Sequence, residues 1–270
     1  MPEGDSVVLV ARKLEARLSG LVLAHTDFRH PRWATADLSG RRVLTTVPRG
    51  KHLLTRLDDG TTLHTHLRMD GSWTVLAPGK VLPRRVQPQV RVQLRTRTDD
   101  GEPGPTAVAL SMPVVELLET RLEHRAVGHL GPDVLGPDWD AAEAARRLVA
   151  RPERALVAAL LDQRCLAGLG NLWVNELAFL RSTYPWAPVG SVELGPLLEL
   201  AHRMLRRSAD VPGAYQVTTG SRRPGQTHWV AGRAGRGCLR CGTTVRVVAE
   251  TPGDAERRRT WWCPRCQPAP

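Results

Sequence analysis

Lysine is almost missing from this chain: Lys13, Lys51 and Lys80 are the only three among 38 cationic residues. Where arginine otherwise supplies positive charge, a lysine in a structured segment raises the question of amine chemistry. Lys51 is the one to follow, because it stands directly after a glycine at the head of a β-type run. Long apolar runs are absent as well. None approaches the roughly 20 residues needed to span a bilayer, so a membrane partner is not expected. The start, MPEGDS, is polar and acidic and lacks the marks of a secretory signal, which leaves the cytoplasm as the expected compartment. Cysteine is scarce, at five residues, and four of these fall in one C-terminal stretch.

What is present is a soluble, globular composition of 270 residues with 41% hydrophobic and 24% charged residues. That length suits one large domain or two to three smaller ones. The net charge of +11 points to a polyanionic partner, and its distribution sharpens the point. From Val211 onward ten arginines face only Glu250, Asp254 and Glu256, so this tail carries +7 of the excess.

The periodicity of Val7, Val10, Ala11, Leu14 and Leu18 predicts an amphipathic helix over Asp5–Ser19, closed by Gly20. Short β-type runs follow at 21–28, 41–47, 51–57, 61–67, 72–76, 90–96 and 106–111. Asp59-Gly60 supplies a strong hairpin signal, and 99–105 reads as an exposed loop. This is an all-β module of the sandwich or barrel kind. Gly128 to Pro137 marks a boundary, after which helical patterns cover 139–150, 153–163, 171–180 and 192–208. The expected fold is α+β and multidomain. Residues 1–132 form an N-terminal helix and β-sandwich, 133–232 a helical domain, and 233–270 a β-hairpin finger.

The finger carries the most specific local signal. Cys238-x2-Cys241 and Cys263-x2-Cys266, separated by 21 residues, have the ligand spacing of a closed, structural tetrahedral Zn²⁺ site. Cys165, alone, reads as a small buried hydrophobe. In 160–171 a helix runs into the Gly168-Leu169-Gly170 turn and a second helix starts at Asn171. Either this turn presents outward N–H groups to a phosphate, or it is an ordinary helical hairpin. His64 and His66 alternate onto one strand face with no third ligand near in sequence, which favours non-metal roles. Arg68 and Met69, at a turn tip, are either a wedge for a base stack or plain surface. Finally, Pro2 becomes a free secondary amine once Met1 is removed, a nucleophile that forms a charged iminium with an aldehyde-like carbon.

In order, the segments Met1 to Asp5, Arg49-Gly50-Lys51-His52, His66 to Gly71, His129-Leu130-Gly131-Pro132-Asp133, Leu161-Asp162-Gln163 to Asn171 and the four-cysteine finger resemble the formamidopyrimidine-DNA glycosylase / endonuclease VIII family. The resemblance spans essentially the whole chain, and Gly4-Asp5 after Pro-Glu is similar to the endonuclease VIII branch. It implies a helix–two-turn–helix in the helical domain, one structural Zn²⁺ on Cys238, Cys241, Cys263 and Cys266, and a monomer acting on damaged double-stranded DNA at the nucleoid. It implies base-excision repair by a bifunctional glycosylase and abasic-site lyase, with oxidised pyrimidines favoured. Pro2 would attack C1′ of a flipped-out nucleotide, and Glu3 would donate a proton to open the sugar. That role requires a Glu3 pKa raised above the ordinary value of about 4.3. Lys51 would contact phosphate and assist catalysis, and β,δ-elimination would cut the strand. Arg258 would hold the lesion phosphate for the δ step, within one residue of register. Asn171 and His129 would contact the DNA backbone, and Arg68 and Met69 would fill the gap left by the flipped base. Two departures stand out: Glu250–Glu256 looks inserted in the finger, and His129 replaces the arginine often found there. An 8-oxoguanine-preferring glycosylase and a non-catalytic zinc-containing damaged-DNA-binding protein are the alternative readings; a zinc-ribbon RNA-binding factor rests on charge and cysteines alone.

Overall fold

A computed structural model describes residues 2–249 and 258–269; the Glu250–Glu256 insertion, Arg257 and the removal of Met1 lie outside the described residues. By internal contacts the chain divides into two units. Pro2 belongs with Ser6–His129, and Glu3–Asp5 belong with the residues from Leu130 onward.

The first unit begins in helix α1 (Gly4–Leu18), whose three- and four-residue spacing puts Val7, Ala11, Leu14 and Leu18 on one buried face. Gly20, at φ +82°, then turns the chain into the strands. These are β1 (Val22–Phe28), β2 (Val43–Arg49), β3 (His52–Leu57), β4 (Thr61–His66), β5 (Ser72–Leu76), β6 (Val90–Arg97), β7 (Pro103–Leu110) and β8 (Val114–Glu119). They pair antiparallel in two four-stranded sheets, ordered β1-β6-β7-β5 and β2-β3-β4-β8. Leu53, Leu57 and Leu63 of one sheet share an apolar cluster with Val92, Leu94 and Ala107 of the other and with the buried face of α1. Each such leucine contributes about 1.5–3 kcal/mol on burial.

Three sequence expectations shift here. β8 was not anticipated, since VVELLE alternates poorly and lacks a glycine or asparagine break before it. β7 begins at Pro103, so the expected loop over 99–105 contracts to a turn in which Thr98 N donates to Glu102 O at 2.9 Å. The third strand begins at His52. Arg49 pairs with His52 and leaves Gly50-Lys51 as the two central residues of a hairpin turn, with Gly50 at φ +57°. A four-residue helix α2 (His124–Val127) precedes the end of the unit.

The second unit holds α3 (Ala141–Val149), α4 (Leu156–Leu161), α5 (Asn171–Leu180) and α6 (Leu194–Asp210), then β9 (Arg246–Val248) and β10 (Thr260–Trp262). Asp140 caps α3 by accepting from Glu143 N at 2.9 Å, which moves that helix start inward from 139. α4 is shorter than expected because its leading N–H groups are paired outside the helix: Leu156 N donates to Ala187 O and Val157 N to Pro185 O. Trp173, Leu177, Leu197, Leu198 and Leu205 close the core of this unit. In the finger β9 and β10 pair antiparallel, Thr260 opposite Val248, while Thr244 bridges Gly237 instead of extending β9. Among the described residues, no helix is long and apolar enough to cross a membrane.

Candidate active site

The glycine turn before α5 has an occupant, and it comes from the chain itself. Glu3 is fully buried. Its carboxylate accepts from Gly170 N at 2.9 Å, Leu172 N at 2.7 Å and Trp173 N at 3.3 Å. These are the leading N–H groups of α5, which have no partner within the helix and carry the positive end of its dipole. The expectation that they face outward to a phosphate is therefore corrected: an internal carboxylate fills the anion site. Two glycines make room for it. A Cβ on Gly170 would lie 2.4 Å from Glu3 Cδ, and one on Gly4 would lie 3.0 Å from Gly168 Cα. Gly4 N also donates to Gly168 O at 2.9 Å, with Gly168 at φ +101°.

The turn is held open by Gln163, whose side-chain amide donates to Leu161 O and Leu169 O at 2.9 Å and accepts from Gly168 N at 3.1 Å. Along its other edge, Ala167 N donates to Pro132 O and Gly131 N to Gln163 O, both at 2.9 Å. These backbone bonds hold the Gly-Pro-Asp segment beside the Asp-Gln segment. Asp5, also fully buried, accepts from Trp173 Nε1 at 3.2 Å and Ser208 Oγ at 2.6 Å. Sequence reasoning used Asp5 only as a branch marker, with no structural role, and it passed over Glu176. That second buried carboxylate accepts from Trp229 N, Val230 N and Ala231 N, each at 2.8 Å. Neither lies in a pattern a single sequence exposes, since their partners are remote in the chain.

In the first unit Lys51 sits at the tip of the β2–β3 turn, half-buried. Sheet register surrounds it with imidazoles: His52 lies opposite His66, and His64 opposite Glu116. His52 Nδ1 is 2.8 Å from His64 Nε2, and His64 Nδ1 is 2.8 Å from Glu116 Oε2. The His52 ring is edge-on to His66 at 4.6 Å and to His129 at 6.3 Å. The sequence placed no further polar partner near His64 and His66, whereas the fold brings His52 and Glu116 to them, and His129 beside His52, without forming a metal-competent group among the described residues. Burial, then the neighbouring imidazoles and Arg68, pushes His52 down to about 2. Burial, with Arg68 and Lys51, pushes His66 down to about 4. Both rings are therefore neutral at physiological pH.

Arg68 and Met69 stand exposed on the turn after β4, Met69 at 61%. Arg68 has φ +50°, and its N–H donates to His66 Nδ1 at 3.0 Å. His129 is exposed. Asn171, by contrast, is buried at 3% exposure; its amide donates to Arg259 O at 2.9 Å. Asn175 takes up Trp261 N at 2.8 Å, so the two asparagines pin the finger strand along α5. Arg258, half-buried, precedes that strand.

Cys238, Cys241, Cys263 and Cys266 bring their sulfurs within 4.8 Å of one another, the one such metal-competent group among the described residues. Cys238 and Cys266 are 4.0 Å apart, and Cys241 and Cys263 3.4 Å. Four thiolates around a tetrahedral ion at about 2.3 Å would be separated by about 3.8 Å, so the quartet fits such an ion. Hydrogen bonds from Thr243 draw Cys241 down to about 6, whereas burial pushes Cys263 and Cys266 up, so the fit to an ion rests on the sulfur geometry. Cys165 is buried, as expected of a small hydrophobe.

A helix-led β-sandwich, a glycine-turn helix pair and a four-cysteine finger define a recognisable class of architecture. It is shared with the crystal structure of Lactococcus lactis formamidopyrimidine DNA glycosylase bound non-covalently to DNA containing an abasic site. The TM-score is 0.77 at 21% identity, over 99% of this chain and 100% of that one. Residues 1–106 match the formamidopyrimidine-DNA glycosylase N-terminal domain. A Streptomyces coelicolor protein named probable endonuclease 8 2 is 52% identical over all of this chain and 95% of its own length. The protein named DNA-(apurinic or apyrimidinic site) lyase Nei2 of Mycolicibacterium smegmatis is 41% identical over the full length of both. The chain belongs to the formamidopyrimidine-DNA glycosylase / endonuclease VIII family, on its endonuclease VIII side.

Proposed function

We propose that this protein is a bifunctional DNA glycosylase and abasic-site lyase of base-excision repair, acting on oxidised bases, pyrimidines favoured, in double-stranded DNA. The observation that carries the reading is the seat of Glu3. A fully buried carboxylate, clamped at the head of α5 by three backbone N–H groups, fixes the residue covalently joined to Pro2. Chain termini ordinarily fray, and a terminus held this firmly is suited to covalent chemistry. The relative named as an abasic-site lyase, identical at 41% over its full length, supports the same activity.

In this mechanism Pro2, freed of Met1, attacks C1′ of the extruded nucleotide and displaces the base, leaving an iminium. Glu3 exchanges a proton with the opening sugar; its three N–H donors favour the ionised form, so it takes up a proton before it returns one, contrary to the protonated resting state expected of a donor. Lys51, at its turn tip, and Arg258 hold phosphates around the lesion, and the iminium draws electrons from the sugar as the strand is cut by β,δ-elimination. Asn171 keeps the finger strand against α5 and so sets where Arg258 stands. Arg68, Met69 and His129 contact DNA from the exposed edge of the first unit, Met69 entering the vacated stack. Cys238, Cys241, Cys263 and Cys266 hold one Zn²⁺, which stabilises the finger and takes no part in the chemistry. Functionally the chain divides into a catalytic domain over 1–132, a DNA-binding helical domain over 133–232 and the finger over 233–270. Each group is supplied by a single chain, so a monomer working at the nucleoid suffices.

Borohydride should trap the mature protein covalently on duplex DNA carrying an abasic site, and Pro2→Ala should abolish the adduct. Equal trapping by a protein with a blocked N-terminus would exclude Pro2 as the nucleophile. Predominant cleavage at 8-oxoguanine over thymine glycol and dihydrouracil would reverse the pyrimidine preference.

A further inference from the structure

Glu116, His64 and His52 form a directed chain across three adjacent strands, and its directions follow from the donors at its two ends. An ionised carboxylate only accepts, so His64 carries a proton on Nδ1, and as the neutral imidazole it presents a lone pair at Nε2. His52 must then donate from Nδ1, which leaves its Nε2 as an open acceptor. At the other end the Arg68 N–H only donates, so His66 accepts at Nδ1 and carries its proton on Nε2. His64 is 3% exposed and has no direct route to solvent, while the Glu116 side chain is 38% exposed. Glu116 lines a cavity of about 180 Å³ together with Arg32, Trp33 and Arg125. A chain of alternating donors and acceptors thus runs from His52, whose ring abuts the His66 beside Lys51, through a buried imidazole, to a cavity elsewhere on the first unit.

We infer that this chain is a proton relay in which His52 accepts a proton at Nε2 and Glu116, through His64, discharges it to the cavity. The inference rests on the lyase reading, because β-elimination releases the C2′ hydrogen as a proton. The C2′–H pair becomes the C2′=C3′ double bond, and the C3′–O pair leaves with the phosphate. The proton is bound by His52 Nε2 as His52 Nδ1–H passes to His64 Nε2 and His64 Nδ1–H passes to Glu116 Oε2, from which water removes it. After product leaves, water returns a proton through Glu116 to His64 Nδ1, His64 Nε2–H passes back to His52 Nδ1, and His52 releases its Nε2 proton to water, which restores the starting tautomers. No imidazolium accumulates, because each ring loses one proton as it gains another. That concerted transfer suits a ring surrounded by His66, His129 and Arg68, where a resting positive charge is disfavoured. His64 also faces Glu123, which pairs bidentately with Arg56 and therefore does not compete for the relayed proton. His64 and Glu116 act through His52 and are positioning residues.

Glu116→Gln separates relay from scaffold, since an amide oxygen still accepts from His64 but cannot take its proton. Single-turnover elimination on abasic duplex should slow about tenfold in this variant, at the low end for a lost acid–base partner. Borohydride trapping and KM should be unchanged. Formate, small enough for the cavity beside Arg32 and Arg125, should restore part of the rate. Nitrogen-15 spectra of labelled histidine should show His52 as the Nδ1–H tautomer in both proteins. The relay is overturned by an unchanged rate, by a loss that formate does not touch and that trapping shares, or by an Nε2–H tautomer at His52. Absence of any trapped adduct in the unmodified protein would instead refute the lyase reading, and the tautomer would still report on the chain.

Discussion

Glu3 and the His52 cluster solve the same problem, ionisable groups withdrawn from water, in opposite ways. Around Glu3 the fold supplies fixed dipoles: three N–H groups from the start of α5 surround its carboxylate. Around Lys51 it supplies imidazoles held neutral, with burial driving two of them well below their ordinary range. The first arrangement needs close backbone approach and hence glycine. The second needs strand register, and would be lost entirely by a slip of one residue.

The largest effect is expected from breaking the first arrangement. Gly170→Ala would force a methyl group against Glu3 Cδ at 2.4 Å and Cγ at 2.6 Å, in a side chain that is itself fully buried. Urea unfolding should show a loss of about 2–4 kcal/mol, and base release should fall by more than about 100-fold. A near-normal Gly170→Ala protein would mean that the cradle tolerates displacement.

The second arrangement is sharpened by pH. His52 and His66 have folded values of about 2 and about 4, below the unfolded value of 6.5. The unfolded chain therefore binds more protons in this range. The stability these groups contribute is complete above pH 6.5 and falls as pH drops toward 4, by about 1 kcal/mol per pH unit for each group. Urea midpoints measured from pH 7 to 5 should decline accordingly, and His66→Gln should flatten the decline.

The smallest effect is expected outside both networks. Met69→Ala, at a side chain 61% exposed, should alter stability by no more than about 0.5 kcal/mol. It should weaken binding to abasic duplex several-fold, as read by a titration at fixed salt. Equal binding would remove Met69 from the proposed wedge.

The same contrast explains what the sequence made legible. Features written in local spacing were readable: α5 starting at Asn171, the cysteine quartet, and the alternating strands on either side of Asp59-Gly60. The occupant of the glycine turn was not, because Glu3 and Gly170 are separated by 167 residues and a row of free N–H groups does not name its anion. The His64–Glu116 contact was hidden for a related reason. It spans 52 residues and depends on β8, whose apolar and acidic residues do not advertise a strand. The pattern around Lys51 reads as the head of a strand, whereas the structure puts it in the turn. Only cross-strand pairing of Arg49 with His52 decides between the two.

Helix α5 meets three loads on one rigid rod. Its head carries Glu3, its flank carries the finger strand through Asn171 and Asn175, and Glu176 within it gathers the backbone of residues 229–231. A slide of one residue along the axis is about 1.5 Å, enough to break every one of these contacts together. Any disturbance of the cysteine quartet, loss of a metal held there included, would thereby be a mechanical one that reaches the buried carboxylate through the length of a single helix.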